Sequence, residues 1–349
     1  MSRRVALVLS GGKAHRFQSQ QQSWQDKALT LLADKPLLVH AIENIARVVD
    51  EVIVCVNNEE RKTRYLEVLE KHNLRVKIVI DEKTPIGGPN VAILTGLKAA
   101  QADLCLIVPS DMPFVKPEVA NYLFNLSEDF EVVVPMWPNG QLETLTMILH
   151  HSIGLEIVQT LCQLKRSHVD DIPRAASKTL LVSPMETIKI LDSQLKSFIN
   201  INFQEDLKTL QTRSLQGPIQ ENIQLYQNGF FASDLQLMCD AAKMCQEGNF
   251  MMAQKKFDLC KCRFETCGNF FWAALASEGK GEAMLQQIQL QKENLSQTTL
   301  TFDSETKKTF LDAVNNYDHE AKIYKKNCCM RLLERALTDK ARCESKIID

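Results

Sequence analysis

The chain has 349 residues, 45% of them hydrophobic, and a formal net charge of −2. That length accommodates two domains with real cores, and the even charge balance, without a long basic run, excludes an electrostatic footprint for nucleic acid or a membrane surface. No stretch approaches the ~20 apolar residues of a membrane span, and Met1 to Arg4 lead straight into a short strand pattern with no signal-peptide core, so the expected location is the cytoplasm. There are 11 cysteines, and in that compartment they are expected to be thiols rather than a disulfide framework.

The first element is a buried strand, Val5 to Ser10, that runs into Gly11 and Gly12. Two glycines after a strand allow a tight turn whose backbone N–H groups are free of side chains, and Lys13 and Arg16 add positive charge there, which together suit an anionic oxygen. Such a turn also occurs for steric reasons alone, so its meaning depends on segments further along the chain. Further strands are predicted at Glu51 to Val56, Val76 to Ile80, Leu104 to Val108 and Glu131 to Pro135, and amphipathic helices at Leu37 to Val48, Arg61 to His72 and Val91 to Ala100. Strands alternating with helices over residues 1–213 predict an α/β domain, a three-layer, doubly wound, mostly parallel sheet with ligands bound at the carboxyl ends of its strands.

Residues 214–224 contain a Gly-Pro breaker and read as a linker. Residues 225–349 then read as an all-α domain, with apolar stripes at Phe250, Ala253, Phe257, Cys260 and Phe264, and at Phe310, Val314, Tyr317, Ala321, Tyr324 and Cys328. Gly248, Phe250, Ala253 and Phe257 resemble half of a tetratricopeptide unit, and one such unit does not make a repeat array. This region is read either as a module for a protein partner or as a stabilising cap. Its cysteines, Cys239, Cys245, Cys260, Cys262, Cys267, Cys328, Cys329 and Cys343, lack the paired spacing of a structural zinc site and are expected to be buried thiols.

Three more segments bear on the glycine turn. Asp26 to Leu29 places Lys27 shortly after it. Leu106 to Phe114 ends a buried strand on Asp111, a carboxylate suited to Mg²⁺, or alternatively to capping a helix near Pro117. Asp81 to Asn90 is a second glycine-rich loop leading into a helix.

Together these segments resemble the molybdenum cofactor guanylyltransferase (MobA) family and related nucleotidyltransferases, with a GT-A-like fold. The matching residues are Leu9 to Arg16, Asp26 to Leu29, Pro36 and Leu37, Asn57, Asp81 with Gly88 and Pro89, Asp111 to Phe114, Trp137 to Glu143, and Phe198 to Leu207. The resemblance implies transfer of GMP from GTP to a phosphorylated, molybdopterin-type acceptor, with pyrophosphate leaving. It implies Leu9, Ser10, Gly11, Gly12, Lys27, Asn57, Asp81, Gly88, Pro89 and Asp111 as nucleotide contacts and Arg16, Lys27 and Asp111 as the catalytic set. Asp111 is then the ligand of Mg²⁺, and Glu143, Asn200 and Asn202 are acceptor contacts. The alternatives are another nucleotidyltransferase of this fold, acting on a sugar phosphate or phospholactate or transferring CMP, and a non-catalytic nucleotide-binding module. The chain departs from the family pattern at Gln18, at a glutamine-rich insertion between Arg16 and Asp26, at Gly88-Pro89-Asn90-Val91-Ala92 and at Glu143-Thr144-Leu145. His15, within the first loop, reads as solvent-facing.

Overall fold

In a computed structural model of the chain, residues 2–11, 26–84, 86–201, 221–226, 229–230, 232–295 and 304–348 are described. The central strand is β1 (Arg4–Leu9), flanked on both sides by parallel neighbours, β4 (Glu51–Val56) and β6 (Leu104–Pro109). Beyond β4 lies β5 (Lys77–Ile80), also parallel. On the other side β8 (Met147–His150) inserts antiparallel between β6 and β7 (Val132–Pro135), and β9 (Lys178–Val182) pairs parallel with β7. With β10 (Ile223–Tyr226) the sheet reads β10-β9-β7-β8-β6-β1-β4-β5, and a small hairpin, β2 (Leu31–Leu32) and β3 (Lys35–Pro36), stands apart. The sheet is therefore mostly parallel, as expected, with β8 antiparallel to both of its neighbours. The sequence reading missed β8, β9 and β10, runs of only four or five residues.

Successive side chains on β1 face opposite layers, and both layers are apolar. Ala6 and Val8 pack into a core with residues of α1 (Leu37–Ile45), α2 (Glu59–Lys71) and α4 (Pro117–Leu126), among them Leu38, Ile42, Tyr65, Leu69 and Leu123. Leu7 faces α3 (Pro89–Ala99), where Gly96 permits close approach: a Cβ there would lie 2.9 Å from Leu7 Cδ1 and from Cys55 Sγ. α5 (His151–Gln163) follows β8 directly, with Gly154 against Leu149.

The chain divides into two compact units. The first comprises Met1–Val158, Ser167–Val169 and Lys178–Gln224, the second Gln159–Arg166, Asp170–Ser177 and Leu225–Asp349. Two stretches from within the expected 1–213 domain thus group with the helical unit, and Ile223 and Gln224, expected in the linker, form part of β10. The reason is buried charge. Arg174 in α6 (Asp171–Ala175) is fully buried and donates to Asp171 Oδ1 at 2.7 Å, to Asp339 Oδ2 at 2.7 Å and to both Glu320 oxygens at 2.8 and 2.9 Å. Arg166 donates to Asp171 at 2.9 Å and to Asp339 at 2.6 Å. Burial opposes ionisation of Asp171, but Arg166 and Arg174 outweigh it and hold the carboxyl below its ordinary range.

The remaining helices of the second unit are α7 (Ala232–Gln246), α8 (Phe250–Cys267), α9 (Phe270–Leu295), α10 (Ser304–Lys326) and α11 (Met330–Ile348). Gly268 ends α8 in the left-handed conformation, φ 72°. Gly279 and Gly281 let α9 accept aromatic rings: a Cβ on either would come within 2.7 Å of the Phe257 or Phe310 ring. The expected stripes hold at Ala253, Phe257, Cys260 and Phe264, and from Phe310 to Tyr324, whereas Cys328 sits exposed past the end of α10 at φ 55°. The cysteines are free thiols; Cys262 is exposed like Cys328, Cys245 and Cys267 are half-buried, and the rest are buried. Among the described residues no helix is long and apolar enough to cross a membrane.

Candidate active site at the carboxyl edge of the sheet

Parallel strands deliver their carboxyl ends to one edge, and four of them bring candidate residues there. Ser10 and Gly11 follow β1, Asn57 follows β4, Asp81 follows β5, and Ser110 and Asp111 follow β6. The edge is tied by main-chain bonds from Ser10 N to Cys55 O at 2.9 Å, Asp81 N to Val56 O at 2.7 Å and Ser110 N to Leu9 O at 3.0 Å. Gly11 and the Asp81 carboxylate approach closely: an added Cβ would stand 3.0 Å from Asp81 Oδ2.

Lys27 lies in a short 3₁₀ turn, Lys27–Leu29, capped by Asp26. Its ammonium forms an ion pair with Asp111 Oδ2, with side-chain exposures of 16% and 21%. Lys27 is thus no solvated surface charge. Nor does Asp111 cap α4, whose N-cap position is Lys116. Among the described residues Asp111 Oδ1 and Asp81 Oδ1 are buried and have no hydrogen-bond partner, and the same holds for Oδ1 of Asn200. Asn200 is adjacent to Ile201, whose N–H donates to the Asp111 carbonyl at 3.0 Å. Burial pushes the Asp81 carboxyl up to about 6, against the lowering influence of Arg61.

The contacts of the other predicted residues are as follows. Gly88 (φ 104°) and Pro89 begin α3 and are exposed, and the contacts of that segment run to the 167–169 loop: Asn90 Nδ2 donates to His168 O at 3.3 Å. Glu143 is 8% exposed and accepts from the Trp137 indole at 2.5 Å, in a turn closed by Gly140 at φ 79°. Gly12, Arg16 and Asn202, along with Lys13, His15 and Gln18, lie outside the described residues.

Sequence reasoning missed the layer directly beneath the edge. Arg61, 3% exposed, donates through Nε to Asp26 Oδ2 at 2.7 Å and through Nη1 to Ser10 O and Asn57 Oδ1, both at 3.1 Å. The Tyr65 hydroxyl lies 2.7 Å from Ser10 Oγ and 3.1 Å from both Asp26 oxygens, and Ser110 Oγ donates to Ser10 Oγ at 2.9 Å. In the sequence Arg61 stands among charged residues and reads as a solvated face. The available signal was its spacing, since Arg61, Tyr65 and Leu69 form one i, i+4, i+8 stripe, and all three are buried.

Among the described residues no group of three or more His, Cys, Asp or Glu is placed to hold a metal. The donor set present, one buried carboxylate oxygen of Asp111 without a partner, fits Mg²⁺, which binds through one or two carboxylates and takes its other ligands from water and phosphates.

Residues 6–177 match the MobA-like NTP transferase domain. A probable molybdenum cofactor guanylyltransferase of Methanosarcina acetivorans is 31% identical over 209 residues, 59% of this chain and 89% of that protein. Its counterpart from Methanosarcina mazei is 29% identical over 207 residues, again 59% and 89%. The solved molybdopterin-guanine dinucleotide biosynthesis protein A of Archaeoglobus fulgidus aligns with a TM-score of 0.48 at 20% identity, covering 59% of this chain and 95% of that one. Each of these matches is confined to about three-fifths of the chain, and the family domain ends at residue 177, before the helices α7 to α11 begin. With Gly11 following β1 and the Lys27–Asp111 pair at the carboxyl edge, this chain belongs to the MobA-like NTP transferase family and is a nucleotidyltransferase.

Proposed function

We propose that the enzyme transfers GMP from GTP to the phosphate of a molybdopterin-type acceptor. The observation that carries this reading is the Lys27–Asp111 pair at the end of β6, with Asp111 Oδ1 unpartnered among the described residues. It is joined by similarity to guanylyltransferase-named proteins over nearly their whole length. In the proposed reaction an oxygen of the acceptor phosphate attacks the α-phosphorus of GTP, and the bond from that phosphorus to the bridging oxygen breaks. Pyrophosphate leaves with the bonding electrons. The protein needs no covalent nucleophile, so its contribution is orientation and charge stabilisation.

The backbone at Ser10 and Gly11 cradles the nucleotide, Lys27 turns from Asp111 to the triphosphate, and Asn57 and Asp81 accept or donate to the nucleoside. Asp111 is the residue that would hold Mg²⁺, which when bound supplies charge neutralisation on the phosphates. Asn200 stands on the acceptor side of Asp111. Arg16, Gly12 and Asn202 belong to the same proposal on family resemblance, as do Gly88 and Pro89 for the base and Glu143 for the acceptor. The cytoplasm is the proposed location. The test is the mass of the product formed from GTP, Mg²⁺ and molybdopterin: an acceptor increased by GMP with release of pyrophosphate supports the reading, and turnover only with CTP or with a sugar phosphate replaces it.

A further inference from the structure

The buried hydrogen bonds beneath the site share a pattern. Asp26 precedes Lys27, Ser10 precedes Gly11, and Ser110 precedes Asp111, so each of these three buried residues stands one position before a group proposed to touch nucleotide. The layer is directional. Ser110 donates to Ser10, the Ser10 and Tyr65 hydroxyls share a hydrogen bond, Tyr65 donates to Asp26, and Arg61 Nε closes the set on the same carboxylate. Arg61 alone reaches three separate segments, the root of the glycine turn through Ser10 O, the end of β4 through Asn57, and the Lys27 turn through Asp26.

A buried arginine is costly to desolvate, and the apolar stripe of α2 would be satisfied by a leucine at this position. A guanidinium offers five donors in a fixed plane, which a single aliphatic or ammonium group does not. Ser10, Asn57 and Asp26, the three residues its side chain holds, each are or adjoin a candidate nucleotide contact. We propose that Arg61 is the positioning residue of this site: its guanidinium fork, supported by Tyr65, locks the Lys27 turn, Asn57 and the root of the glycine turn into one frame, and so sets the geometry in which a nucleoside triphosphate is held. The inference rests on the proposed reading for the identity of the ligand, but not for the existence of the frame.

The experiment uses the full chain with Arg61→Ala, Arg61→Lys and Tyr65→Phe, and two readouts. The first is the rate of acylation of Lys27 by a small amine-directed reagent, read by peptide mass mapping without nucleotide. The second is the affinity for GTP with Mg²⁺, with and without low-millimolar guanidinium. The expected result is faster Lys27 labelling in Arg61→Ala, GTP affinity about 10- to 100-fold weaker, the usual cost of losing a group that orients a ligating residue, and partial recovery of both by guanidinium. Arg61→Lys keeps the charge but loses the fork, and is expected to resemble Arg61→Ala; Tyr65→Phe gives a smaller loss. Guanidinium does not refold a collapsed protein, so recovery separates positioning from general destabilisation. If Arg61→Ala is unstable, Arg61→Lys and Tyr65→Phe carry the same readouts. Unchanged Lys27 labelling in the folded variants overturns the frame. Arg61-dependent labelling in a protein that binds no nucleotide keeps the frame and overturns the nucleotide reading.

Discussion

The charged core of the helical unit and the carboxyl edge of the sheet treat buried charge differently. In the helical unit, Arg166 and Arg174 share Asp171 and Asp339, Arg174 also donates to Glu320, and Arg174 lies over the Phe271 ring at 4.6 Å. There the guanidinium forks are met by carboxylates from helices far apart in sequence, and the result is an internal brace. At the sheet edge, Asp81 and Asp111 each keep a buried oxygen without a hydrogen-bond partner among the described residues. Burying such an atom is unfavourable unless something outside the chain completes it. Asp339 Oδ1 in the brace also lacks a hydrogen-bond partner among the described residues, but Arg342 stands 2.9 Å from it, whereas the corresponding oxygens of Asp81 and Asp111 lie at strand ends, so the contrast teaches that charge alone does not mark a site.

The largest expected effect tests the brace. Arg174→Met leaves Asp171, Asp339 and Glu320 buried without their shared partner, and breaking a buried pair on one side costs about 3–5 kcal/mol. Chemical unfolding followed by the fluorescence of Trp272, a residue of the same unit, measures it; a loss below the range of ordinary surface substitutions would show that the network is not holding the helices. For the same reason, truncation after residue 213 strips Glu320 and Asp339 from Arg174, and the fragment is expected to be poorly soluble.

Asp111→Asn probes the other side of the comparison. The amide cannot hold a cation as the carboxylate does, so turnover is expected to fall by about 10²–10³-fold, comparable to removing one strong electrostatic contact to a transition state, while the melting temperature stays close to that of the parent chain. A folded variant with near-parental turnover at limiting Mg²⁺ would dismiss Asp111 as the metal ligand.

Ligand completion is measured more gently by nucleotide itself. GTP at ~100 Kd with Mg²⁺ is expected to add about 2.7 kcal/mol to stability, and more than CTP, UTP or ATP at equal concentration. A larger shift with CTP would move the chain to cytidylyl transfer.

The smallest effect is on pH dependence. The Asp81 carboxyl is raised from 3.8 to about 6 by burial, so between these values the folded protein holds more protons at this position than the unfolded chain does. The contribution is favourable at low pH and is lost as pH rises through about 6, the reverse of an ion-paired aspartate. Asp81→Asn is therefore expected to remove a fall in stability of the order of 1 kcal/mol between pH 4 and pH 6; an unaltered profile would place the titration elsewhere.

Much of this protein was legible before any coordinates. The five β-branched runs from Val5 to Pro135 predicted the strands to within a residue or so, because a strand buried on both faces must be apolar throughout, and the 3.6-residue stripes of Phe257 and Phe310 predicted helices that pack on helices. Lys27 and Asp111 were singled out in the sequence by resemblance to a family, and the fold pairs them at the end of β6. What sequence alone did not decide is everything that depends on partners distant along the chain. Arg61 and Arg174 look like ordinary surface arginines until folding brings Ser10, Asn57 and Asp26 to one and Glu320 and Asp339 to the other. The short strands β8 to β10 carry too few residues for a period to emerge, and hydrogen bonding to neighbours already in the sheet defines them. Local pattern is written in consecutive residues, whereas the satisfaction of a buried charge is a property of three-dimensional neighbours, and only the tertiary structure supplies those.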